Sequence, residues 1–505
     1  MLAHQVLGRA VESFRVEATR KLDLARRIEL GQFLTPWPVA KFMAAMCGAE
    51  ASEVRILDAG AGVGSLTAAV VAELCGRERR PHKLFVVTYE LDGALIEYLY
   101  ETLGICEQLC VEAGVQFGSE IRSTDFIRSA ASTIATPLLE TAQPFDLAIL
   151  NPPYRKINRD SDVRHSLRSV GIETSNLYTA FLSLVSRLLS DAGELIAITP
   201  RSFCNGPYFR PFREDFLRRM AFQRIHVFDS REALFRDDSV LQENVIFRAV
   251  RKTASVKYVT LTMSRGIDDT SLIVRHIEPC ALVHPGDREL FLHIVPDDAN
   301  QRISDCMSHL PSELDDLGVS VSTGRVVDFR AKPFLRSYPE PDCAPLIHPC
   351  HFNDGFVVWP KLNGKKPNSI VVNQQTMGAL VPRGAYALTK RFSAKEEPRR
   401  VVAALYDPSR VAEASVGFEN HVNYYHREGE GLPLDLAKGL VAYLNSTFVD
   451  TYFRQFNGHT QVNSADLRKL RYPSVEELEE LGRKVGEALS SNTLVDNFVD
   501  AMLPA

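Results

Sequence analysis

Short apolar runs alternate with longer segments of helical periodicity throughout the first half of the chain. The short runs are rich in β-branched residues, and apolar positions in the longer segments recur every three or four residues. This alternation predicts an α/β fold with a doubly wound, mainly parallel sheet covered by helices on both faces. The predicted strands are the seven segments 54–57, 83–89, 115–121, 146–150, 194–199, 222–228 and 245–250. The predicted helices among them are 66–75, 93–103, 178–189 and 208–220.

The pattern changes after about residue 265. Short strand-like pieces are interrupted there by Pro, Gly and Asn, with aromatic and basic residues between them. A length of 505 residues is enough for more than one domain of about 150 residues. We therefore predict two domains, 1–265 and 266–505, and a solvated helix in the tail that begins at Ser474.

Composition limits the classes of protein to which the chain can belong. Hydrophobic residues make up 45% and charged residues 24%, which is typical of folded globular proteins. The net charge of -5 provides no global positive field, so any surface that binds nucleic acid must be local. The charged N-terminus and the lack of any apolar run of about 18 residues predict a cytoplasmic protein that spans no membrane.

The nine cysteines are odd in number and irregularly spaced, which predicts reduced thiols rather than a disulfide framework. Four residues of zinc-binding types stand close together, namely Cys343, His348, Cys350 and His351. They lack the paired CxxC spacing of strong zinc sites. We therefore predict no metal site.

The turn after the first predicted strand contains closely spaced glycines. Residues 58–64 read DAGAGVG, so Gly60, Gly62 and Gly64 fall where backbone must pass close to a ligand at a helix N-terminus. The GxGxG spacing differs from the GxGxxG of dinucleotide loops. Asp58, two residues before the first glycine, suits a cationic sulfonium ligand such as S-adenosylmethionine. A purely structural tight turn is the alternative interpretation.

Two further acids follow the next predicted strands. Glu90 ends the second strand, where a carboxylate can accept hydrogen bonds from ribose hydroxyls, and Asp125 follows the third, where it can accept from an adenine amino group. Either acid alone is as typical of a helix cap or an exposed charge. Because the carboxyl ends of parallel strands meet at one edge of the sheet, the acids together with the glycines indicate a nucleoside cofactor.

The fourth predicted strand is followed by Asn151, Pro152, Pro153 and Tyr154. Two prolines stiffen the backbone, so that the Asn151 side-chain oxygen and the Pro152 carbonyl can both accept hydrogen bonds from one planar amino group. The exocyclic amine of a nucleobase is a poor nucleophile, and two acceptors draw it toward tetrahedral geometry. Tyr154 would stack on the base. The alternative is a plain turn with a buried tyrosine.

These motifs resemble those of the gamma-class adenine-N6 DNA methyltransferases of type II restriction-modification systems, over nearly the whole chain. The resemblance implies a Rossmann-like class I S-adenosylmethionine-dependent methyltransferase domain, followed by an α+β target-recognition domain. Residues 31–36 (GQFLTP) are similar to the motif in which Thr35 and Pro36 contact the methionine part of the cofactor. The other cofactor contacts that the resemblance implies are Asp58, Gly60, Gly62, Glu90, Leu91, Asp125 and Asn151. Asp-Ala-Gly in the glycine loop departs from the Glu-Pro that is more usual in the gamma class.

The resemblance also assigns segments downstream. Residues 199–209 are similar to the family segment whose aromatic side chain stacks on the target adenine, once it is flipped out of the duplex, on the face opposite Tyr154. This role falls on Phe209, with Tyr208 as the alternative. The implied catalytic residues are therefore Asn151, Pro152, Tyr154 and Phe209. Residues 389–400, 420–424 and 457–463 are similar to recurring segments of the longer members.

Local basic residues agree with double-stranded DNA as the partner. We predict a mobile basic loop at residues 154–176, with Arg155, Lys156, Arg159, Arg164 and Arg168. Basic residues also outnumber acids in part of the second domain, although a solvated face is the usual meaning of such a run. They are Lys361, Lys365, Lys366, Arg383, Lys390, Arg391, Lys395, Arg399 and Arg400.

Three other functions share some of these features. Cytosine-N4 methylation uses the same geometry, but that group more often has Ser or Asp in place of Asn151. RNA or protein-glutamine methyltransferases share the NPPY sequence and are usually shorter. A non-catalytic DNA-binding specificity subunit is expected to have lost Glu90 or Asn151, and both are present. We therefore expect an adenine-specific enzyme, with a restriction endonuclease as a possible separately encoded partner.

Overall fold

The computed structural model describes residues 2–22, 33–136, 143–228, 244–252, 256–267, 269, 271–295, 297–362, 364–393, 397–411, 413–457 and 461–503. It divides the chain into two compact units, Met1–Pro296 and Asp297–Ala505. No helix among the described residues is long and apolar enough to cross a membrane. The nine cysteines, all among the described residues, form no disulfide.

The first unit is built around a mixed nine-stranded sheet in the order β3-β2-β1-β4-β5-β7-β6-β8-β9. Strands β1 to β5 are parallel to their neighbours in that order, and β7 runs antiparallel to both β5 and β6. The strands are β1 Glu53–Ala59, β2 Lys83–Tyr89, β3 Gln116–Arg122, β4 Phe145–Leu150, β5 Leu189–Pro200, β6 Met220–Phe228, β7 Asn244–Arg251, β8 Val259–Ser264 and β9 Ile273–Ile277. The predicted α/β class is confirmed.

Helices lie between the strands of this sheet. They are α1 Leu2–Lys21, α2 Trp37–Ala44, α3 Ser65–Gly76, α4 Gly93–Ala113, α5 Phe126–Ala135, α6 Asp162–Ser169, α7 Leu177–Leu188, α8 Arg210–Arg219 and α9 Pro279–Leu282. Helix α4 extends beyond the predicted end at residue 103, because its buried apolar positions continue through Cys106 and Leu109. It ends where Gly114 adopts a left-handed conformation with φ of 72°.

Alternate strand residues pack on opposite faces of the sheet. Leu57 and Val87 belong to one apolar core, whereas Ile56 and Val86 belong to the other. Because both faces are buried, inner strands such as β2 and β4 are apolar at nearly every position. This burial explains why continuous apolar runs located them correctly in the sequence.

The predicted strand count and the predicted boundary at 265 both need correction. All seven predicted strands are present, but β8 pairs with β6 and β9 pairs with β8, so the sheet has nine strands rather than seven. Strand β9 lies beyond residue 265, and the first unit extends to Pro296. The change in sequence pattern near residue 265 therefore comes before the boundary between the two units, because these last strands are short and partly exposed.

The second unit is α+β, as expected, with two sheets in the strand orders β10-β20-β17-β18-β14-β13 and β11-β15-β12-β19-β16. Its strands are β10 Ser320–Thr323, β11 Leu335–Arg336, β12 Cys343–Ile347, β13 Phe352–Asn353, β14 Phe356–Val357, β15 Ser369–Val371, β16 Leu380–Pro382, β17 Tyr386–Lys390, β18 Ala403–Tyr406, β19 Ser415–Phe418 and β20 Val422–His426. Its helices are α10 Asp298–His309, α11 Asp328–Ala331, α12 Leu434–Leu444, α13 Thr447–Phe456, α14 Ser464–Arg468, α15 Val475–Val485 and α16 Asn492–Asp500.

The predicted tail helix is α15, which begins after a capping box formed by Ser474 and Glu477. Only one of its faces is solvated. Gly439 and Gly482 lie in its contact with α12, where an added Cβ would come within 2 Å of the backbone oxygens of Leu478 and Asp435. The two helices therefore pack backbone to backbone.

Candidate active site

A cavity of about 280 Å³ lies at the carboxyl ends of the first strands of the sheet, close to the lower end of the range of ligand pockets. Its lining includes six of the predicted cofactor residues, namely Gly60, Gly62, Glu90, Leu91, Asp125 and Asn151. Thr35, Pro36 and Asp58 are outside that lining. The structure therefore brings most of the predicted site residues together around one space.

The glycine loop adopts backbone conformations that favour glycine. Gly60, Gly62 and Gly64 have φ values of 83°, 59° and 85°. An added Cβ at Gly62 would lie 2.8 Å from Leu34, and one at Gly64 would lie 2.9 Å from Leu99. At Gly60 the nearest atom, in Phe181, would be 3.9 Å away, so a side chain there would occupy space in the cavity rather than collide with protein.

Glu90 holds the loop in place. One of its carboxylate oxygens accepts from the backbone N–H of Gly62 at 2.8 Å, and the other accepts from those of Leu91 and Asp92 at 2.8 and 2.9 Å. Burial raises the pKa of Glu90 even though these hydrogen bonds oppose the shift. A carboxylate has about four lone-pair positions, so about one remains for a ligand. The glycine loop thus depends on this side chain, which keeps capacity for one further hydrogen bond.

Asp125 is both a helix cap and part of the cavity wall. Its Oδ1 accepts from the backbone N–H of Arg128 at 2.9 Å, at the start of α5. The capping role that the sequence offered as an alternative is therefore real. A carboxylate can make further hydrogen bonds, so capping leaves capacity for a ligand in the cavity.

Asp58 is fully buried beneath the glycine loop. Its Oδ2 accepts from the Thr67 hydroxyl at 2.7 Å, and its Oδ1 has no hydrogen-bond partner. Burial, with a smaller contribution from the negative charge of Glu90, raises the pKa of Asp58 to about 7. Asp58 therefore contacts α3 and lies outside the cavity lining.

Asn151 follows β4 and is held by the segment before α2. Its Nδ2 donates to the Phe33 carbonyl at 2.9 Å and to the Thr35 hydroxyl at 3.0 Å. These two acceptors fix which end of the amide is nitrogen, and Oδ1 accepts from the Tyr154 hydroxyl at 2.9 Å. The structure thus gives Thr35, which is 6% exposed, a partner in the NPPY segment.

Tyr154 lies among aromatic rings beside Asn151. Its ring centroid is 6.0 Å from that of Phe33 and 6.2 Å from that of Tyr178, which it meets edge to face. Burial raises the pKa of its hydroxyl above the usual value, so the group remains a neutral donor. Pro152 is buried, whereas Pro153 lines the cavity.

Phe209 does not line the cavity. It is 8% exposed and packs in the apolar core, with its ring 5.7 Å from that of Tyr178. Tyr178 therefore contacts both aromatic residues to which the sequence assigned the flipped base. The alternative residue, Tyr208, is 76% exposed.

Sequence reasoning missed much of the apolar wall. Phe33, Leu34, Phe126 and Phe181 all line the cavity, and the last two rings are 4.9 Å apart. Of these residues only Phe181 falls in a predicted helix, 178–189, whose periodicity indicates burial but no role in a site. Phe126 could have been identified, because it directly follows Asp125 at the edge where ligands bind.

The predicted mobile loop at residues 154–176 is partly helical and packed. It contains α6, whose Leu167 is fully buried. Arg164 and Arg168 both pair with Glu173. Arg155 lines the cavity, and Lys156 and Arg159 are exposed.

In the second unit, the three segments that resemble methyltransferases lie together. The Arg391 carbonyl accepts from the backbone N–H of Val462, and Asn423 Nδ2 donates to the Val462 carbonyl, both at 2.8 Å. Residues 394–396, which include Lys395, and 458–460 are outside the described residues.

Two of the basic residues in this run of the second domain, Arg399 and Arg400, make structural contacts instead. Arg400 is 1% exposed and donates to the Ser393 carbonyl and to Asn457 Oδ1, and Arg399 pairs with Asp496. Their positive charges are satisfied inside the unit. Lys361, Lys365 and Lys390 remain at least partly exposed.

Comparison with known proteins agrees with this arrangement. The model of the Eco57I restriction-modification methylase family matches residues 109–235. The type II methyltransferase M.PstI of Providencia stuartii is 42% identical over 496 residues, which cover 98% of this chain and 96% of the relative. M.BsuBI of Bacillus subtilis is also 42% identical, over 93% of this chain and 92% of the relative.

A solved structure is similar in fold. The type IIL restriction-modification enzyme MmeI in complex with DNA has a TM-score of 0.54 at 11% identity, over 92% of this chain and 72% of that chain. Identity of 42% over nearly the full length of two relatives, together with the strand-end cavity and the NPPY segment beside it, leads to one conclusion. The chain belongs to the type II methyltransferases of restriction-modification systems.

Proposed function

We propose that the protein transfers the methyl group of S-adenosylmethionine to N6 of an adenine rotated out of double-stranded DNA. The observation that carries the proposal is the fixed amide of Asn151 beside the strand-end cavity. An acceptor that is oriented before substrate arrives costs little reorganisation during the reaction. Adenine is favoured over cytosine because the motif begins with Asn rather than Ser or Asp.

The residues around the cavity fit S-adenosylmethionine. Gly60 leaves space for it, Glu90 retains acceptor capacity for a ribose hydroxyl, and Asp125 can accept from the adenine amino group. The Oδ1 of Asp58 is buried and has no hydrogen-bond partner, so it favours a nearby cation. Thr35 and Pro36 stand beside Asn151, where the methionine part is expected. When bound, the cofactor supplies an electrophilic methyl group on a positively charged sulfur.

Asn151 and Pro152 act on the target amine in this proposal. The Asn151 Oδ1 and the Pro152 carbonyl accept its two hydrogens and localise the nitrogen lone pair for attack on the methyl carbon. Tyr154 must first release its hydrogen bond to Oδ1 or share that oxygen, and its ring then stacks on the base. The amine loses its proton to solvent after methylation, so no dedicated general base is required.

The basic side chains that follow the NPPY segment support double-stranded DNA as the partner. Arg155, Lys156 and Arg159 lie on the segment after the catalytic motif and can contact phosphates. We propose that the second unit recognises the target sequence and that methylation protects cytoplasmic DNA from a separately encoded endonuclease. The fold similarity to a DNA-bound restriction-modification enzyme agrees with this partner.

The proposal is tested by mapping modified bases in DNA from cells that express the protein. We expect N6-methyladenine at one short sequence, with no such mark in cells that express Asn151→Ala at the same level. N4-methylcytosine at a defined sequence would instead favour the related cytosine chemistry. Unmodified DNA together with methylated RNA or protein would reject DNA as the substrate.

A further inference from the structure

Three side chains of the second unit meet although they come from separate segments. Asp328 begins α11, His348 follows β12, and Glu419 follows β19. One ligand-type atom from each residue lies within 4.8 Å of those of the other two. His348 and Glu419 are each 1% exposed, so the cluster is buried.

Polar atoms in this cluster lack hydrogen bonds. Neither ring nitrogen of His348 has a hydrogen-bond partner, although Nδ1 lies 3.7 Å from a Glu419 oxygen and Nε2 lies 3.9 Å from Asp328 Oδ1. Asp328 Oδ1 is also unpartnered, whereas its Oδ2 accepts from Lys366 Nζ at 2.8 Å. Buried polar atoms without partners cost about 1–3 kcal/mol each, so an arrangement of this kind needs an explanation.

Glu419 is oriented by a neighbouring residue. It accepts from the backbone N–H of His421 at 2.9 Å and pairs with the ring Nδ1 of His421 at 2.6 Å. A carboxylate that neighbouring groups orient from outside the cluster is typical of metal ligands.

We propose that Asp328, His348 and Glu419 bind a divalent transition-metal cation, with zinc as the best match. One imidazole nitrogen and two carboxylate oxygens form a donor set that suits zinc, and water can complete the coordination. In tetrahedral zinc, ligand atoms about 2.0–2.2 Å from the ion lie about 3.3–3.6 Å from each other, so binding would draw the more distant of these atoms together. The ion would provide a partner for Asp328 Oδ1 and for one ring nitrogen of His348.

The site differs from the cysteine- and histidine-rich segment that the sequence singled out. Only His348 belongs to both. His351 is already satisfied, because its Nδ1 accepts from the backbone N–H of His348 and its Nε2 pairs with Asn368. The other two ligands come from residues 20 positions before and 71 positions after His348 in the printed sequence, so no local motif announces them.

The ion would connect three segments that already share backbone hydrogen bonds. Val326 N–H donates to the Phe418 carbonyl, and Glu419 N–H donates to the Ile347 carbonyl. A metal at this point would therefore stabilise the second unit. It would also fix the base of α11, on which Phe329 is 76% exposed.

The test measures metal binding by the full-length protein. After chelator treatment and desalting, the protein is titrated in a calorimeter with Zn²⁺, and in parallel with Mn²⁺ and Mg²⁺. We expect one Zn²⁺ per chain and a thermal midpoint that rises with Zn²⁺ concentration, because the ion binds the folded state. His348→Gln and Glu419→Gln should each weaken binding by about a hundredfold or more.

Two further variants keep the test decisive. Asp328 is partly exposed, so Asp328→Asn is the ligand variant least expected to impair folding, and it should also lose Zn²⁺ affinity. His309→Gln, which changes an exposed histidine in the same unit, should bind as wild type does. Equal affinity in wild type and Asp328→Asn would overturn the proposal. So would a wild-type protein that binds none of the three cations at about 100 μM, which would identify the cluster as a purely structural contact among the three side chains.

Discussion

The cavity in the first unit and the Asp328 cluster in the second differ in how their polar atoms are satisfied. Around the cavity, both oxygens of Glu90 and both ends of the Asn151 amide have hydrogen-bond partners at 2.8–3.0 Å. In the Asp328 cluster, both nitrogens of His348 have none. Backbone groups supply most of the hydrogen-bond partners around the cavity. In the cluster, the three groups that converge are all side chains, and each comes from a separate segment.

This difference bears on what each site can recognise. Side chains that are already oriented suit an organic ligand, whose donors and acceptors must match in direction as well as in charge. Converging anionic and imidazole groups without partners suit a cation, which has no directional hydrogen bonds of its own. The following predictions test the cavity side of the comparison, and the metal titration tests the other.

The largest effect is expected at Asn151. Asn151→Ala removes an acceptor directed at the reacting amine, and loss of one such group typically costs a hundredfold to a thousandfold or more, so we expect methyl transfer to fall by about a thousandfold. DNA and cofactor affinities should change by less than about threefold. Single-turnover transfer of a tritiated methyl group to duplex DNA provides the measurement. Transfer within about tenfold of wild type would remove Asn151 from the chemistry.

Glu90→Ala should mainly weaken binding of S-adenosylmethionine. Loss of charge-assisted hydrogen bonds to the ligand and of the support for Gly62 can cost about 2–4 kcal/mol, which corresponds to about 30- to 1,000-fold in affinity. Calorimetric titration gives the value directly. Glu97→Ala, an exposed glutamate on α4, is the matched control and should bind normally. Unchanged affinity in Glu90→Ala would refute its cofactor role.

A smaller effect is expected from the aromatic residues. Stacking is worth about 1–3 kcal/mol per base, so Tyr154→Ala should slow transfer by about ten- to a hundredfold, and Tyr154→Phe should cost much less. Phe209→Ala should also slow transfer, because its ring supports Tyr178, which contacts Tyr154. The exposed Tyr208 should tolerate alanine.

Fluorescence of 2-aminopurine at the target position reports base flipping independently of transfer. The signal should rise when wild-type protein binds and rise further in Tyr154→Ala, because a quenching ring has been removed. If Tyr208→Ala abolishes transfer and Phe209→Ala has no effect, the assignment of residues 199–209 is displaced by one position.

The smallest effect is expected at Asp58 and concerns stability. Burial raises its pKa from the ordinary 3.8 to about 7, so the folded state holds a proton between these values that the unfolded state has lost. The contribution of Asp58 to stability therefore falls as pH rises from about 4 to 7 and stays low above that. Asp58→Asn should raise the thermal midpoint more at pH about 8 than at pH about 5. An equal change at both pH values would contradict the raised pKa.

The parts of the site that the sequence predicts are those tied to strand ends. Glu90, Asp125 and Asn151 each follow a parallel strand, so recognising the strands was enough to bring them together. The hydrogen bond between Thr35 and Asn151 could not be predicted, because it depends on how a segment 116 residues away packs against β4.

The roles of two other residues depended on solvent access, which a local sequence does not contain. Asp58 lies outside the cavity lining, and its Oδ2 accepts from the Thr67 hydroxyl on α3. Arg400 appeared in a basic run but is enclosed by Ser393 and Asn457. The number of strands in the sheet was underestimated for a related reason, since β9 is mostly exposed and lacks the continuous apolar run of the inner strands.

The most direct test of the central claim identifies the base that receives the methyl group. Purified protein is incubated with duplex DNA and S-adenosylmethionine carrying a deuterated methyl group, and the nucleosides are separated and weighed by mass spectrometry. The account predicts that all of the label enters N6-methyldeoxyadenosine and that none is transferred by Asn151→Ala. Label in N4-methyldeoxycytidine, or equal labelling by wild type and Asn151→Ala, would contradict it.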